Sequence, residues 1–452
     1  MSRLVSVPGD GGLDGLHRSV VVIGGGQAGL SMSHCLVQRG VDHLVLEKGV
    51  LGNEWADRRW DSFCLVTPNW QCALPGFGYD GSDPHGFMLR DEVVDYLRRY
   101  ADSFHPPLIE GVEVTRLSAE RGGRFVVRTG AGTLTADHVV VATGPYQVPL
   151  TPRVAERLPD DVTQVHSSGY RNPERLPEGA VLVVGTGQSG CQIAEDLHLA
   201  GRRVHLATGS APRVARRYRG RDVVDWLEDM GYYRRSIDEF DDADAVRLRA
   251  NHYVTGRDGG RDIDLRAFAK QGMVLHGRLA GIRGATVEFG DDLRRNLDAA
   301  DAVSESIKDS CDAWIAANGV DAPHEDRYTP VWEPAHDGPT SVDLAAEGIT
   351  SVVWCTGFGR DNRWIDLPVF DGRGYPAHHR GATSFPGLHF LGLPWQWTWG
   401  SGRFCGVAGD AEHIAGLVSA SREAAFEVPW LSGTPASTSP SADEWVAPRT
   451  VA

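Results

Sequence analysis

Residues 19–49, SVVVIGGGQAGLSMSHCLVQRGVDHLVLEKG, and residues 180–210, AVLVVGTGQSGCQIAEDLHLAGRRVHLATGS, align without a gap at an offset of 161 positions. Each holds a β-branched apolar run, a glycine-rich turn, a helical stretch closed by a glycine (Gly40, Gly201) and a second apolar run. That order is the pattern of a βαβ unit, and the chain carries it twice. A second echo follows each unit. HVVVATG (138–144) and SVVWCTG (351–357) are buried-strand runs ending in Thr-Gly, placed to close a sheet before the chain crosses to another domain. The expected fold class is α/β with two doubly wound domains, the first discontinuous and the second inserted into it. The expected boundaries are a flexible arm over 1–18, the first domain over 19–150 and 351–425, the second over 151–350, and a disordered tail over 426–452. Within 214–345 the expected elements are a helix over 301–317 and a strand pair near 273–289. Residues 387–418 read as a strand leading to a helix.

The 452 residues exceed one ordinary core. Lys+Arg 45 against Asp+Glu 60 gives a net charge of −15, which argues against a general nucleic-acid or anionic-membrane surface. No apolar run reaches the roughly 18–20 residues of a membrane span, and none at the N-terminus resembles a signal peptide. The seven cysteines are scattered, without Cys-x-x-Cys, so reduced thiols in a cytoplasm are expected. No metal site is expected, and His378-His379 reads as surface. A homodimer is compatible with the sequence.

The glycine turns carry the chemistry. In Gly24-x-Gly26-x-x-Gly29, with Gln27 and Ala28 in the gap, the first glycine permits the turn and the second lets a pyrophosphate approach the backbone. The third lets helix and strand pack closely, and the helix N-terminus then faces the phosphates. Glu47 ends the second strand, beside Lys48, where a carboxylate accepts hydrogen bonds from ribose hydroxyls. Gly185-x-Gly187-x-x-Gly190, with Gln188 and Ser189, repeats the device. At the position of Glu47 it carries Thr208, followed by Ser210, Arg213, Arg216 and Arg217. Hydroxyls and arginines suit a 2′-phosphate that a carboxylate would repel, and Arg213 is the foremost candidate. The same arginines also fit a solvated face. Two dinucleotide sites on one chain suggest a nicotinamide giving hydride to a flavin, with FAD in the first unit and NADPH in the second.

At this point the chain resembles the class B flavin-dependent monooxygenases, nearest to their bacterial CzcO-like branch, over roughly residues 19–420. The family's architecture is glutathione-reductase-like. LGNEWADRRWDSFCLVTPNW (51–70) is similar to a family segment that lies along the flavin. The resemblance places Trp55 and Arg59 beside FAD and Asn69 near its reactive edge as the candidate catalytic residue. Core packing explains Trp55, Trp60 and Trp70 equally well, and a turn role explains Asn69. Val114 corresponds to a position meeting the adenine, and Thr143-Gly144 and Thr356-Gly357 mark the domain crossings. The family's Phe-x-Gly-x-x-x-His-x-x-x-aromatic fingerprint survives only at its histidine end, His166 to Tyr170, with Asp160 and Val162 where Phe and Gly would stand. His166 accordingly reads as a linker residue. Ser401-Gly402 is expected at a helix start facing the flavin. Trp395, Trp397 and Trp399 share a face if their segment is extended, as a substrate-pocket wall or as core.

The resemblance implies an enzyme in which NADPH reduces FAD, O2 adds at flavin C4a, and the resulting peroxide passes one oxygen atom to a small-molecule amine, sulfide or ketone. A quinone-type flavin reductase or oxidase, and a redox-sensing nucleotide-binding module, are the alternatives.

Overall fold

The computed structural model describes residues 12–334 and 340–426. The β-branched runs form the parallel centres of two sheets, the setting in which strands are buried on both faces. In the first, His17–Ile23 lies between His43–Leu46 and Gly132–Val141, parallel to both. Leu108–Ile109 extends one side and Leu388–Phe390 the other. Val20, Val21 and Val22 are fully buried there. Helix Gln27–Gln38 packs on helix Val407–Phe426, and Arg39 pairs with Glu412 across them at 2.6 Å. The late helix thus completes the first domain.

The second sheet runs Val274–His276, Val204–Ala207, Ala180–Val184, Ile349–Trp354, Thr163–His166, all parallel. Leu279–Arg283, Thr286–Phe289 and Ser341–Asp343 form a separate antiparallel sheet. The expected helix is longer at its N-terminal end, Leu293–Asn318. Its buried residues Leu293, Leu297, Ala300, Ser304, Lys308, Cys311 and Ile315 recur every three or four positions, one stripe of a helix.

Two expected boundaries move. A boundary at 350/351 cuts through Ile349–Trp354, which pairs on both sides within the second sheet. Each Thr-Gly echo ends a strand of its own domain, so the chain crosses back only after Trp354. The expected arm over 1–18 also includes residues held against the first domain. Leu13 is buried, its N–H donates to the Ala131 carbonyl (3.0 Å), and Asp14 accepts from the Thr133 N–H (2.7 Å). The rest of the arm, residues 1–11, and the tail beyond 426 lie outside the described residues.

The crossings run side by side, Val148–Pro149 antiparallel to Phe358–Gly359, and His166 Nε2 lies 3.0 Å from the Gly357 carbonyl oxygen. Below them the second domain grips loop 57–66 of the first. The Asp61 N–H donates to the Arg171 carbonyl (2.8 Å), and the Asn172 amide donates to the Asp61 carboxylate (2.5 Å). Arg171 donates to the Asp57 and Arg59 carbonyls, Gln192 to Cys64 (3.1 Å) and Arg216 to Val66 (2.7 Å). At the centre, Asp196 accepts from Ser62 Oγ (2.5 Å), Arg257 (2.7 Å) and the Tyr170 hydroxyl (2.7 Å). No described helix is long and apolar enough to cross a membrane, and no described His, Cys, Asp and Glu group could hold a metal.

Burial pushes His205 and His389, one in each of the two large sheets, down from 6.5 to about 4. Between those values the unfolded chain binds protons that the folded chain refuses. Stability therefore falls as pH drops from about 6.5 towards about 4, by up to about 1.4 kcal/mol per pH unit for each ring. Urea midpoints at about pH 7 and about pH 5 should show the loss, and His389→Gln should reduce it.

Candidate functional site

The first glycine turn is a close fit between backbone segments. A Cβ on Gly24, where φ is +112°, would lie 2.5 Å from the Ala142 carbonyl oxygen. On Gly29 it would lie 1.8 Å from the Gly24 oxygen. At Gly26 a Cβ would meet nothing within 4 Å, because that face opens on a cavity. Glu47 ties the turn to the strand end, accepting from the Gly25 N–H (2.7 Å) and the Gly49 N–H (2.8 Å). Gly25 has no role in the motif as read from sequence. A Cβ there would come within 2.9 Å of the Glu47 Cβ, and the run of three consecutive glycines is the signal that points to it.

The cavity holds about 370 Å³. Gly24, Gly26, Gln27, Ala28, Glu47, Lys48, Trp55, Arg59, Val114, Thr143, Gly144 and Gly402 all line it, while Gly29 packs behind. Tyr146, Gln147, Asp361 and Trp364 line it too and carry no sequence signal. Gln147 braces the crossing, donating to Thr143 Oγ1 (3.0 Å) and accepting from the Asp361 N–H (2.8 Å). Trp55 Nε1 points at Gln27 Oε1 (3.4 Å), and its ring stacks on Phe404 at 5.6 Å. The open face at Gly26, the start of helix Gln27–Gln38 and the Glu47 carboxylate fit the pyrophosphate and ribose of a dinucleotide.

The second turn repeats the fit. A Cβ on Gly185 (φ +105°) would lie 2.6 Å from the Cys355 oxygen, and on Gly190 it would lie 1.9 Å from the Gly185 oxygen. Gly187 faces open space. Thr208 is buried, donating to the His276 carbonyl (2.8 Å) and accepting from Asn296 (3.2 Å), with Ser210 exposed beyond it. Gln188 fastens Val254 to the first turn of the helix, donating to its carbonyl (2.6 Å) and accepting from its N–H (3.3 Å). Ser189 lies in the same turn. Thr356 and Gly357 bond Leu150 on the other crossing, through Thr356 Oγ1 to the Leu150 carbonyl (2.5 Å) and the Leu150 N–H to the Gly357 carbonyl (3.0 Å).

Several expectations are corrected. Arg213 does not face the second turn. Its guanidinium is buried, paired with Asp301 (2.5 Å) and stacked over Tyr328 at 4.0 Å. The Tyr253 N–H draws the preceding Pro212 carbonyl into the core (3.0 Å). Arg216 is likewise committed, to Asp222 (2.5 Å) and the Val66 carbonyl. Asn69 does not line the cavity. Its amide donates to the Asp83 carbonyl (2.9 Å) and accepts from the Met88 N–H (2.8 Å), so both ends pin loop 83–88.

Ser401 does not start a helix, which begins at Val407. Its hydroxyl closes a turn, accepting from the N–H groups of Trp397 (2.9 Å) and Thr398 (3.0 Å). The tryptophan segment is a turn, with Trp395 at φ +51°. Trp395 meets Phe240 at 5.3 Å and Trp399 meets Tyr233 at 4.9 Å, a satellite core outside the cavity lining. His378 is half-buried 3.2 Å from the Tyr375 hydroxyl, with its pKa lowered to about 4 by burial, while His379 is exposed.

The two kinds of glycine separate in a mutational test. Gly29→Ala should cost several kcal/mol by forcing helix from strand, since overpacking alone costs about 1–3 kcal/mol and here the clash is with backbone. Gly26→Ala should leave the unfolding midpoint within about 0.5–1 kcal/mol of wild type while weakening dinucleotide binding at least about tenfold. Urea denaturation and flavin titration measure the pair.

The comparisons agree with this geometry. Residues 21–256, just over half the chain, match the family described as pyridine nucleotide-disulphide oxidoreductase. An uncharacterized CzcO-like oxidoreductase of Geobacillus kaustophilus is 34% identical over 403 residues, 87% of this chain and 96% of that protein. An indole-3-pyruvate monooxygenase, YUCCA4 of Oryza sativa, is 34% identical over 220 residues, 44% of this chain and 46% of that one. Among solved structures, a flavin-containing monooxygenase from Stenotrophomonas maltophilia shares the fold with a TM-score of 0.63 at 20% identity, covering 90% of this chain and 99% of that one. A bacillithiol disulfide reductase from Bacillus cereus does so with a TM-score of 0.56 at 15% identity, covering 90% and 99%. The chain belongs to the pyridine nucleotide-disulphide oxidoreductase family, whose cofactors are FAD and a pyridine nucleotide, and is a flavin-dependent oxidoreductase related to the flavin monooxygenases.

Proposed function

We propose that this chain is an NADPH-dependent FAD monooxygenase that passes one oxygen atom of O2 to a small-molecule amine, sulfide or ketone. The observation that carries the reading is the pair of glycine cradles, each squeezed against its own crossing strand and each open at its middle glycine. FAD would lie on Gly26 and Glu47, and NADPH on Gly187 and the start of helix Gln188–Leu199. When bound, the two cofactors supply the redox chemistry: hydride from the nicotinamide, one oxygen atom to the substrate and the other to water.

The chain's own part is to hold and to shield. Trp55, Tyr146 and Trp364 line the cavity with aromatic surface, with Phe63 and Phe404 packed against Trp55, and exclusion of water there favours oxygen transfer over loss as hydrogen peroxide. A dithiol reductase is the less favoured reading. Relay from flavin needs two reactive thiols beside it, and none of the seven cysteines lines the cavity. Burial also pushes Cys64 and Cys72 up to about 12, keeping them as unreactive thiols.

The test is reduction by NADPH without oxygen, followed by rapid mixing with oxygenated buffer. A third flavin spectrum, distinct from oxidised and reduced forms and persisting for seconds, is expected. Direct return to oxidised flavin with stoichiometric hydrogen peroxide, unchanged by any amine, sulfide or ketone, would establish an oxidase instead. Failure of NADPH to reduce the flavin would favour a nucleotide-sensing module.

A further inference from the structure

Gln27 and Gln188 stand at the same place in the two units, 161 positions apart. Each reaches from its helix start to hold a distant segment. Gln27 accepts from Trp55 Nε1 (3.4 Å), and Trp55 lines the first cavity. Gln188 bonds the N–H and the carbonyl of Val254 (3.3 and 2.6 Å), which fixes segment 251–255 beside the Gly187 cradle.

The other end of that segment is held by the first domain. The Asn251 side-chain oxygen accepts from Arg403 (2.7 Å), and Arg403 follows Gly402, a residue of the first cavity wall. Tyr253 pins the middle, its ring buried and its N–H on the Pro212 carbonyl. Segment 251–255 thus bridges the two dinucleotide sites, and His252 lies between its fixed ends.

His252 does not line the first cavity, so it belongs to the second site rather than to the flavin cradle. It is half-buried, with no hydrogen bond or ion pair to its ring among the described residues. Burial is the one influence on its pKa and lowers it from the ordinary value. The ring is therefore neutral at pH 7, with one nitrogen a donor and the other an acceptor.

Reach and direction identify what it meets. In a dinucleotide with its pyrophosphate on Gly187, the adenosine ribose falls at Thr208, the position of Glu47 in the first unit. The nicotinamide half then leaves the cradle by the other side, and hydride transfer requires that ring to turn towards the first cavity. His252 is two residues from Val254, about 7 Å of extended chain, on the side leading to Gly402. A neutral imidazole can give its N–H to a carboxamide oxygen or accept from a carboxamide nitrogen.

We propose that His252 positions the nicotinamide of the second dinucleotide through a hydrogen bond to its carboxamide, where the two sites meet. The inference rests on NADPH occupying the second cradle and adds the residue that reads the nicotinamide rather than the phosphates.

The test titrates FAD-loaded protein, by calorimetry, with NADP+ and with 2′-phospho-ADP-ribose, which lacks only the nicotinamide. Wild type should bind NADP+ the more tightly. His252→Ala should weaken NADP+ about tenfold, the worth of one well-made hydrogen bond, while FAD content and the affinity for the fragment stay as in wild type. His252→Gln, which keeps a donor and an acceptor, should recover part of the loss. Equal weakening of both ligands would make His252 a support of the cradle and overturn the assignment. So would unchanged NADP+ binding in His252→Ala, or a wild type that binds the two ligands equally. If His252→Ala does not fold, a His252→Gln protein decides, since a loss confined to NADP+ supports the contact and an equal loss, or none, overturns it. A wild type that holds FAD but binds neither ligand would instead overturn the NADPH reading, and the assignment with it.

Discussion

Asp196 is a buried carboxylate between two domains, and three donors from three different segments converge on it. Ser62 comes from the loop of the first domain, Tyr170 from the junction and Arg257 from a loop of the second. A buried charge of this kind is tolerable only when its lone pairs are filled, and stripping one partner typically costs about 3–5 kcal/mol. The three segments are therefore obliged to meet at one point. Loop 57–66 consequently lies along the second domain, bonded at Asp57, Arg59, Asp61, Ser62, Cys64 and Val66. The same loop supplies Arg59 to the first cavity, so that wall takes its position from the other domain.

Helix Gln188–Leu199 makes this a relation between the two sites. Its first turn starts at the open Gly187 cradle, and further along Gln192 and Asp196 hold loop 57–66. One rigid element thus touches the second dinucleotide site at its end and the wall of the first from its side. The two turns are tied to their own strands by different means. In the first, the Glu47 carboxylate after the second strand accepts from the Gly25 N–H. In the second, the Thr186 hydroxyl within the turn accepts from the Gly209 N–H at 2.9 Å. The fold needs a tie at this point but not a carboxylate, so the second turn is tied without a charge at the same place.

What the sequence discloses is periodic pattern, and what it hides is the partner of an individual side chain. The glycine turns, Glu47, the paired βαβ units and the late helix are visible because they follow a local pattern of hydrophobic period, glycine spacing and strand-end position, even where the contact that requires the glycine is distant, as with Gly24 against Ala142. Arg213, Asn69 and Ser401 are misplaced by sequence alone because particular side-chain bonds, distant for Arg213 and local for Asn69 and Ser401, leave no periodic pattern. Arg213 is turned inward by Asp301, 88 positions away, and Asn69 is spent on a loop ending 19 positions later. The Ser401 hydroxyl closes a turn that a strand-like alternation of tryptophans conceals. The boundary near 350 fails for a related reason, since strand order rather than strand pattern assigns Ile349–Trp354 to the second sheet.

The place of Arg59 in the cavity wall follows from the interdomain contacts. A flexible surface loop carrying an uncompensated guanidinium would turn it to water, where its hydration is fullest. Here Arg171 and Asp196 hold the loop on both sides of residue 59, and the rings of Trp55, Phe63 and Tyr146 lie around its guanidinium. Burial lowers the pKa of Arg59 from its ordinary value, while nearby Tyr146 and Glu54 oppose that shift without forming an ion pair. The interdomain grip thus keeps a cation in the wall of the cavity that Gly26 and Glu47 also line.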